Sequence, residues 1–216
     1  MFDRKRGDSA LVKIRPATLS DLDDFYAISL VTGDSGNDAS QLYDDPNLLG
    51  HVYSAPYLIL CPELCVVAED KIGVAGYAVG ALSTRDFELR VERDWWPHLR
   101  AKYATPDMSD QQNWSADQRR IQSIHSPHKT PQPVVSEFPS HLHLNLHPRL
   151  QQQGIGPKLL AAWLENAKTR GSTAAHVGVN AHNKNGLRFW THNGFEPIAD
   201  ERLPPTNDTR WLGRLL

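Results

Sequence analysis

The residues best suited to bind an anion lie in the stretch 149–160, which reads RLQQQGIGPKLL. Gly154 and Gly156 follow a strand-like segment and open a helical one. The first N–H groups of a helix have no partner inside the helix, and the helix dipole makes that end positive. Glycines there let a phosphate come close to the backbone. The pattern predicts a phosphate-binding turn, and a plain strand-to-helix turn with glycines for packing is the alternative.

Two other nucleotide-binding motifs fit this stretch poorly. A Rossmann fingerprint needs a third glycine at position 159, where this chain has Leu159. The sequence contains no G-x-x-x-x-G-K-[ST] pattern, so a P-loop is excluded.

Few side chains are candidates for proton transfer. Asp34 and Asp38 lie in the glycine-rich segment TGDSGND and could orient an amine, although turn and cap residues of this type are common. His143 lies on the strand-like segment HLHLNLH and could face a cleft. His141 and His147 share its strand parity, but no carboxylate accompanies them, and we predict no metal site.

The N-terminal half shows strand and helix patterns in alternation. Residues 11–18 alternate as a strand, and Leu22, Phe25 and Ile28 recur at helical spacing before Gly33 or Gly36. Asp38 with Gln41 three residues later predicts a capping box and a further short helix. Residues 64–69 and 74–82 predict a hairpin.

The segment 84–139 differs from its surroundings in being rich in Pro, Gln, Ser and His. One helix is predicted with a face formed by Phe87, Val91, Trp95 and Leu99, and a second starts at a Ser115–Gln118 capping box. The segment is too poor in apolar residues for its own core, so it is interpreted as an insertion. We therefore expect one domain over 11–216, preceded by a flexible tail at 1–10.

The C-terminal third has the clearest pattern. Residues 141–148 and 174–180 alternate as strands, and a helix beginning at 156 should end at Gly171. A second helix ends at Gly194, and two final strands follow. The order of elements predicts an α/β fold with helices packed on a sheet. The apolar face of the first helix is predicted to consist of Leu159, Leu160, Trp163, Leu164 and Ala167.

Composition narrows the classes of partner and compartment. The formal net charge is −2 with both signs interspersed, so no nucleic-acid-binding surface is expected. No apolar run approaches 18 residues and no signal-peptide pattern is present, which predicts a cytoplasmic protein without a membrane span. Cys61 and Cys65 are expected to be buried free thiols.

Two separate motifs resemble those of the GNAT N-acetyltransferases. The family's Q/R-x-x-G-x-G/A pattern corresponds to Gln151–Gly156, and its N-x-x-A-x-x-F-Y-x-x-x-G-F pattern corresponds to Asn183–Phe195. Other segments, such as HVYSAPYL and RDWWPHLR, resemble bacterial relatives of the acetyltransferase-like domain of O-GlcNAcase. The resemblance implies a mixed, mostly antiparallel central sheet of about six to seven strands with helices on both faces.

The resemblance also implies acetyl-CoA as the acetyl donor, held between two splayed central strands without a metal. Strand backbone would pair with the pantetheine, the turn at 151–158 would wrap the pyrophosphate, and residues of the second motif would flank the cofactor. The residues implied to bind acetyl-CoA are Leu144, Asn145, Leu146, Gln151, Gln152, Gln153, Gly154, Ile155, Gly156, Pro157, Lys158, Asn183, Gly186, Phe189 and Trp190.

The implied reaction is acetyl transfer to a primary amine of a small molecule or a peptide, by direct attack in a ternary complex. The family's acidic tyrosine is replaced by Trp190, whose indole cannot release a proton at working pH. The candidate catalytic residues are Asp34, Asp38, His143 and Trp190. A pseudo-acetyltransferase that binds acetyl-CoA, CoA or a partner with little or no turnover is the alternative.

The acceptor amine is unidentified, and its pocket is expected from the loop at 32–45 and the 84–139 insertion. Trp95 and Trp96 are expected to pack the insertion onto the sheet rather than to line that pocket. The protein is expected to be a monomer or a homodimer.

Overall fold

The computed structural model describes residues 12–199, 201, 203 and 208–216, so the predicted tail at 1–10 lies outside the described residues. A sheet of seven strands has the order β1-β2-β3-β4-β5-β7-β6, and every neighbouring pair is antiparallel except β4 and β5. This confirms the predicted fold class. The strands are β1 (Lys13–Pro16), β2 (Cys65–Asp70), β3 (Gly73–Ala81), β4 (Ser140–Leu146), β5 (Ala174–Asn180), β6 (Glu196–Pro197) and β7 (Thr209–Leu215).

Helices before β2 cover one face of the sheet. Helix α1 (Leu22–Val31) buries Phe25 and Ile28 at the predicted spacing. It is followed by α2 (Leu48–Tyr53) and α3 (Ala55–Leu60). The helix predicted at Asp38 is wrong, because the Asp38 carboxylate accepts hydrogen bonds from the N–H and hydroxyl of Ser40 (2.9 and 2.6 Å) and closes a turn.

The segment 84–139 folds into α4 (Thr84–Asp94), α5 (Trp96–Lys102), α6 (Ala116–His125) and α7 (Gln132–Glu137). The predicted capping box at Ser115 and Gln118 is present. The first predicted helix breaks at Trp95, since Pro97 fits the first turn of a new helix. The break adds Trp96 to the buried residues, whereas Trp95 is half-buried and packs against the same core.

Two hydrophobic cores lie on opposite faces of the sheet. On β2, Val66 and Ala68 belong to one core, and Cys65 and Val67 to the other, as the alternation of a strand requires. The first core is covered by α8 (Ile155–Thr169) and α9 (Lys184–His192), and all five predicted apolar residues of α8 are buried there. The second core is covered by α1 to α6.

The centre of the sheet is split between β4 and β5. These parallel strands pair only at Ser140 with Ala175 and at His141 with His176. Strand β4 remains paired with β3 as far as Leu146, while β5 remains paired with β7 as far as Asn180. The two halves of the sheet therefore separate beyond His141 and leave a gap that opens toward the start of α8.

Candidate functional site

The backbone of β4 presents free polar groups to this gap. The N–H of His147 bonds to Ala75, the residue before Gly76 on β3, at 2.8 Å. Because bonding directions alternate along a strand, Asn145 also bonds toward β3, whereas Leu144 and Leu146 face the gap. The side-chain amide of Gln151 already donates to the Leu146 carbonyl at 2.8 Å. The N–H and C=O of Leu144 and the N–H of Leu146 thus point into the gap.

The side chain of Asn145 links β4 to the loop after α1. Its Nδ2 donates to Thr32 Oγ1 at 2.6 Å, and that hydroxyl donates to the Ile28 carbonyl, also at 2.6 Å. The contact ties the loop after α1 to β4, beside the gap.

The turn before α8 is shaped by backbone conformation. Gly154 has φ of +72°, and apart from its chain neighbours no described residue lies within 4 Å of where its Cβ would be. Its left-handed backbone, rather than crowding, therefore explains the glycine. Residues 151–154 are exposed, as are Pro157 and Lys158 after them, which leaves the N-terminus of the 15-residue helix open to an anion.

Arg149 anchors this turn to the β2–β3 hairpin. Its guanidinium pairs with Asp70 at 2.9 Å and donates to the carbonyls of Gly73 and Val74 at 3.2 Å each. The hydrogen bond from Arg149 holds the pKa of Asp70 below its usual value. Gln153 donates back to the Arg149 carbonyl at 2.7 Å. The side chains of Arg149 and Gln153 thus hold the turn in place through five hydrogen bonds or ion pairs.

Gly156 serves packing between two helices. A Cβ there would lie 3.0 Å from Cε2 of Phe189 on α9. Ile155 beside it is buried in the core under α8. Gly156 is therefore explained by close packing of the two helices, whereas Gly154 is explained by its backbone conformation.

The predicted residues of α9 have largely structural contacts. Asn183 caps the helix, since its Oδ1 accepts from the Gly186 N–H at 2.7 Å. Trp190 is buried, with ring centroids 5.1 Å from Phe189 and 5.0 Å from Phe195. The second motif thus holds α9 against α8. Trp190 does not line the cavity on the other face of the sheet.

A cavity of about 750 Å³ opens from the gap on the face that carries α1 to α6. Such a volume falls within the usual range for small-molecule sites. His143 of β4 and Gly178 of β5 reach it from the two sides of the gap. Trp96 lines it as well, and it also packs in the core under the 84–139 segment, as expected. Its aromatic lining consists of Tyr53, Tyr57, Phe87, Trp96 and Trp211.

A chain of hydrogen bonds fixes the histidine at the base of the cavity. Thr84 Oγ1 donates to the Pro139 carbonyl at 2.8 Å, so it accepts from His141 Nδ1 at 2.9 Å. His141 Nε2 is then an acceptor, and it receives the Tyr57 hydroxyl at 2.8 Å. Burial lowers the pKa of His141 well below its ordinary value and keeps the ring neutral.

Two more histidines keep the cavity floor uncharged at neutral pH. Burial lowers the pKa of His143 to about 4, and His176 contributes to the shift. Burial also lowers the pKa of His176 to about 4, and its Nδ1 donates to the Phe138 carbonyl at 2.7 Å. His143 is therefore a weak base, because a general base works best when its pKa lies near the working pH.

The two predicted aspartates lie away from the cavity lining. Asp34 and Asn37 exchange backbone hydrogen bonds of 3.0 and 2.8 Å in a tight turn. The Ser40 hydrogen bonds hold the pKa of Asp38 below its ordinary value. Both aspartates are exposed turn residues in the loop that Asn145 ties to β4.

Several site residues escaped the sequence analysis: Tyr53, Tyr57, Thr32, Arg149 and His176. Tyr53 and Tyr57 stand four residues apart in HVYSAPYL, a spacing that can place two side chains on one helix face. In the described part of the chain, no group of three or more His, Cys, Asp or Glu side chains could hold a metal ion. No helix built from the described residues is long and apolar enough to span a bilayer.

Comparison with known proteins finds matches in both sequence and fold. Residues 134–204 match the family model described as an acetyltransferase (GNAT) domain. Protein O-GlcNAcase of Rattus norvegicus is 27% identical over 186 residues, which cover 82% of this chain and 20% of the relative. The match to the Mus musculus protein has the same values. The chain thus spans about a fifth of the length of these curated relatives.

Solved structures share the fold over nearly the whole chain. The crystal structure of SsHAT has a TM-score of 0.85 and 29% identity, covering 94% of this chain and 98% of that one. A PaiA N-acetyltransferase from Thermoplasma acidophilum, solved in complex with coenzyme A, has a TM-score of 0.57 and 13% identity, with coverage of 95% and 99%.

These findings confirm the resemblance seen in the two motifs: residues 134–204 match a GNAT acetyltransferase domain, and the chain shares its fold with SsHAT and with an N-acetyltransferase. The chain is thus similar to SsHAT over its length and, more weakly, to a part of O-GlcNAcase.

Proposed function

We propose that the protein is an acetyl-CoA-dependent N-acetyltransferase that acts on a primary amine by direct attack within a ternary complex. The observation that carries the proposal is the gap between β4 and β5. At one end it borders the aromatic cavity, and β4 leads from there to the Gly154 turn at the start of α8. A donor bound in the gap would extend from an anion-binding helix N-terminus to a pocket large enough for an acceptor.

The free groups around the gap support a position for the donor. The pyrophosphate would lie at the exposed N-terminus of α8 beside Gly154. The pantetheine would pair with the backbone of Leu144 as an added strand does. An N–H of Leu144 or Leu146 aimed at the thioester carbonyl would stabilise the developing oxyanion, an effect worth about 3 kcal/mol in other enzymes. The CoA-bound PaiA enzyme supports this choice of donor through its shared fold.

The acceptor amine would enter through the cavity and meet the acetyl group near His143. Direct attack requires a neutral nitrogen, and the uncharged histidines of the floor suit such a group. Thr84 and Phe87 of α4 line the cavity, so the 84–139 segment, proposed as an insertion within a single domain, would help to select the acceptor.

One observation favours a second candidate, a pseudo-acetyltransferase that binds acetyl-CoA or a partner without efficient turnover. Trp190 replaces the tyrosine of the family motif and is packed in the core rather than on the cavity. The usual acid is therefore missing from its usual place.

The test is release of free CoA thiol from acetyl-CoA in the presence of a panel of primary amines and lysine peptides. Each primary amine is matched with its N,N-dimethyl counterpart, which cannot form a stable amide. Amine-dependent thiol release, with the acetylated product seen by mass spectrometry, supports the enzyme. Saturable acetyl-CoA binding with no release from any amine supports the second candidate.

A further inference from the structure

Two tyrosines line the cavity beside His143, and they differ in how their hydroxyl groups are used. The ring centroids of Tyr57 and Tyr53 lie 5.5 and 5.9 Å from that of His143. The Tyr57 hydroxyl donates its proton to His141 Nε2, so this proton is already committed. Tyr57 therefore has no proton to offer a bound ligand without breaking the buried chain to Thr84.

The Tyr53 hydroxyl has the opposite arrangement. Its oxygen accepts a hydrogen bond from Nη1 of Arg120 on α6. Since a guanidinium is always a donor, the hydroxyl proton of Tyr53 is not used in this contact. No acceptor for that proton occurs among the described residues, and Tyr53 is half-buried on the cavity wall. The proton is thus free to point into the cavity.

Among the described residues, Arg120 has no acidic partner. Its guanidinium lies 4.8 Å from the centroid of the Tyr53 ring, and its Nε is buried without a hydrogen bond. Within the described part of the chain, no carboxylate lies within 4.0 Å of it. A positive charge held in a poorly solvated place without a counter-ion stabilises negative charge nearby, and the nearest oxygen is that of Tyr53.

We propose that Tyr53 supplies the proton to the departing CoA thiolate and that Arg120 is the positioning residue that stabilises the resulting phenolate. This inference rests on the proposed function. Tyr53 would then replace, from α2, the acid that Trp190 cannot provide from α9.

The step balances in protons and electrons with Tyr53 as the only side chain that gives and regains a proton. The amine nitrogen forms a bond to the carbonyl carbon, and the C–S bond breaks with its electron pair on sulfur. The Tyr53 O–H transfers its proton to that sulfur. The phenolate, hydrogen-bonded to Arg120, takes the extra proton from the new amide nitrogen. The products are the amide, free CoA thiol and the original tyrosine.

The experiment uses acetyl-CoA with hydroxylamine, a small nucleophile that is neutral at pH 7.5 and needs no specific acceptor contacts. We expect Tyr53→Phe to lower kcat for thiol release by about 10²- to 10⁴-fold, the usual size of general acid–base catalysis. The KM for acetyl-CoA and the calorimetric affinity should not change. Tyr43→Phe is the matched control, because Tyr43 also neighbours Arg120 but does not line the cavity. It should keep the wild-type rate.

Arg120 gives a second, independent variant. Arg120→Met should lower kcat at unchanged KM for acetyl-CoA, and Arg120→Lys should recover part of the loss because it restores the charge. A Tyr53→Phe protein with the wild-type kcat would overturn the proposal. A wild-type protein that binds acetyl-CoA but releases no thiol with hydroxylamine or with any primary amine would overturn the proposed transferase activity together with this proposal. Failure of the wild-type protein to bind acetyl-CoA would overturn the proposed function as well, and calorimetry separates the two results.

Discussion

His141 of β4 and His176 of β5 are the last residues that pair across the centre of the sheet. Both rings are buried, and their centroids lie 5.8 Å apart. From this point the two strands diverge, and the divergence creates both the gap for the donor and the floor of the cavity. A pair of neutral histidines thus lies where the sheet splits.

Acid should destabilise the protein between pH 6.5 and pH 4. Burial lowers the pKa of His143 and His176 from 6.5 to about 4 in the folded state. In this window the unfolded state binds more protons, so stability is full above pH 6.5 and is lost as pH falls. Urea unfolding at pH 7.5, 5.5 and 4.5 measures the slope. His176→Asn can keep a donor for the Phe138 carbonyl and should reduce the slope; an equal slope would contradict this origin.

Tyr57→Phe should lower the free energy of unfolding by about 1–3 kcal/mol, because it leaves the buried His141 Nε2 without its donor. Urea unfolding at pH 7.5 measures the change. Tyr26→Phe is the control, since it removes a phenol–histidine bond to His51 at a half-buried position and should cost less. An equal loss in both variants would show that the buried chain to Thr84 has no special role.

Gly156→Ala should destabilise the wild-type protein by about 1 kcal/mol, because the new Cβ meets the Phe189 ring at 3.0 Å. In a Phe189→Leu background, the same change should stabilise α8 by up to about 1 kcal/mol, the normal preference of a helix for alanine. Thermal and urea unfolding of the four proteins of this double-mutant cycle measure the coupling. Equal effects of Gly156→Ala in both backgrounds would show that Phe189 is not what requires the glycine.

The C-terminal third of the fold could be predicted because its signals are local. The face of α8 from Leu159 to Ala167 follows from helical spacing, and Gly171 and Gly194 adopt positive φ at the ends of the helices as expected. The helix predicted at Asp38 failed because a capping pattern and an Asp-Ser turn look alike in sequence. The burial of Trp96 was not predicted from helical spacing, because Pro97 starts a new helix and changes which residues face the core.

The cavity could not be predicted, because its residues come from distant segments that meet only in the folded chain. Tyr53 and His143 are 90 positions apart, and neither residue alone differs from an ordinary core aromatic. Arg120 could not be singled out from sequence either, because its lack of a carboxylate partner among the described residues is a property of its folded surroundings. The donor end of the site is encoded more locally, since Gly154 and the start of α8 are adjacent in sequence.

The most direct test of donor binding is calorimetric titration of acetyl-CoA into the wild-type protein, Gly154→Asp and Gly154→Asn. Asparagine tolerates the positive φ of Gly154 and has nearly the shape of aspartate without its charge. The account predicts saturable binding by the wild-type and Gly154→Asn proteins and loss of binding in a folded Gly154→Asp protein, because its carboxylate repels the pyrophosphate. A folded wild-type protein that binds no acetyl-CoA, or equal affinity in all three proteins, would contradict it.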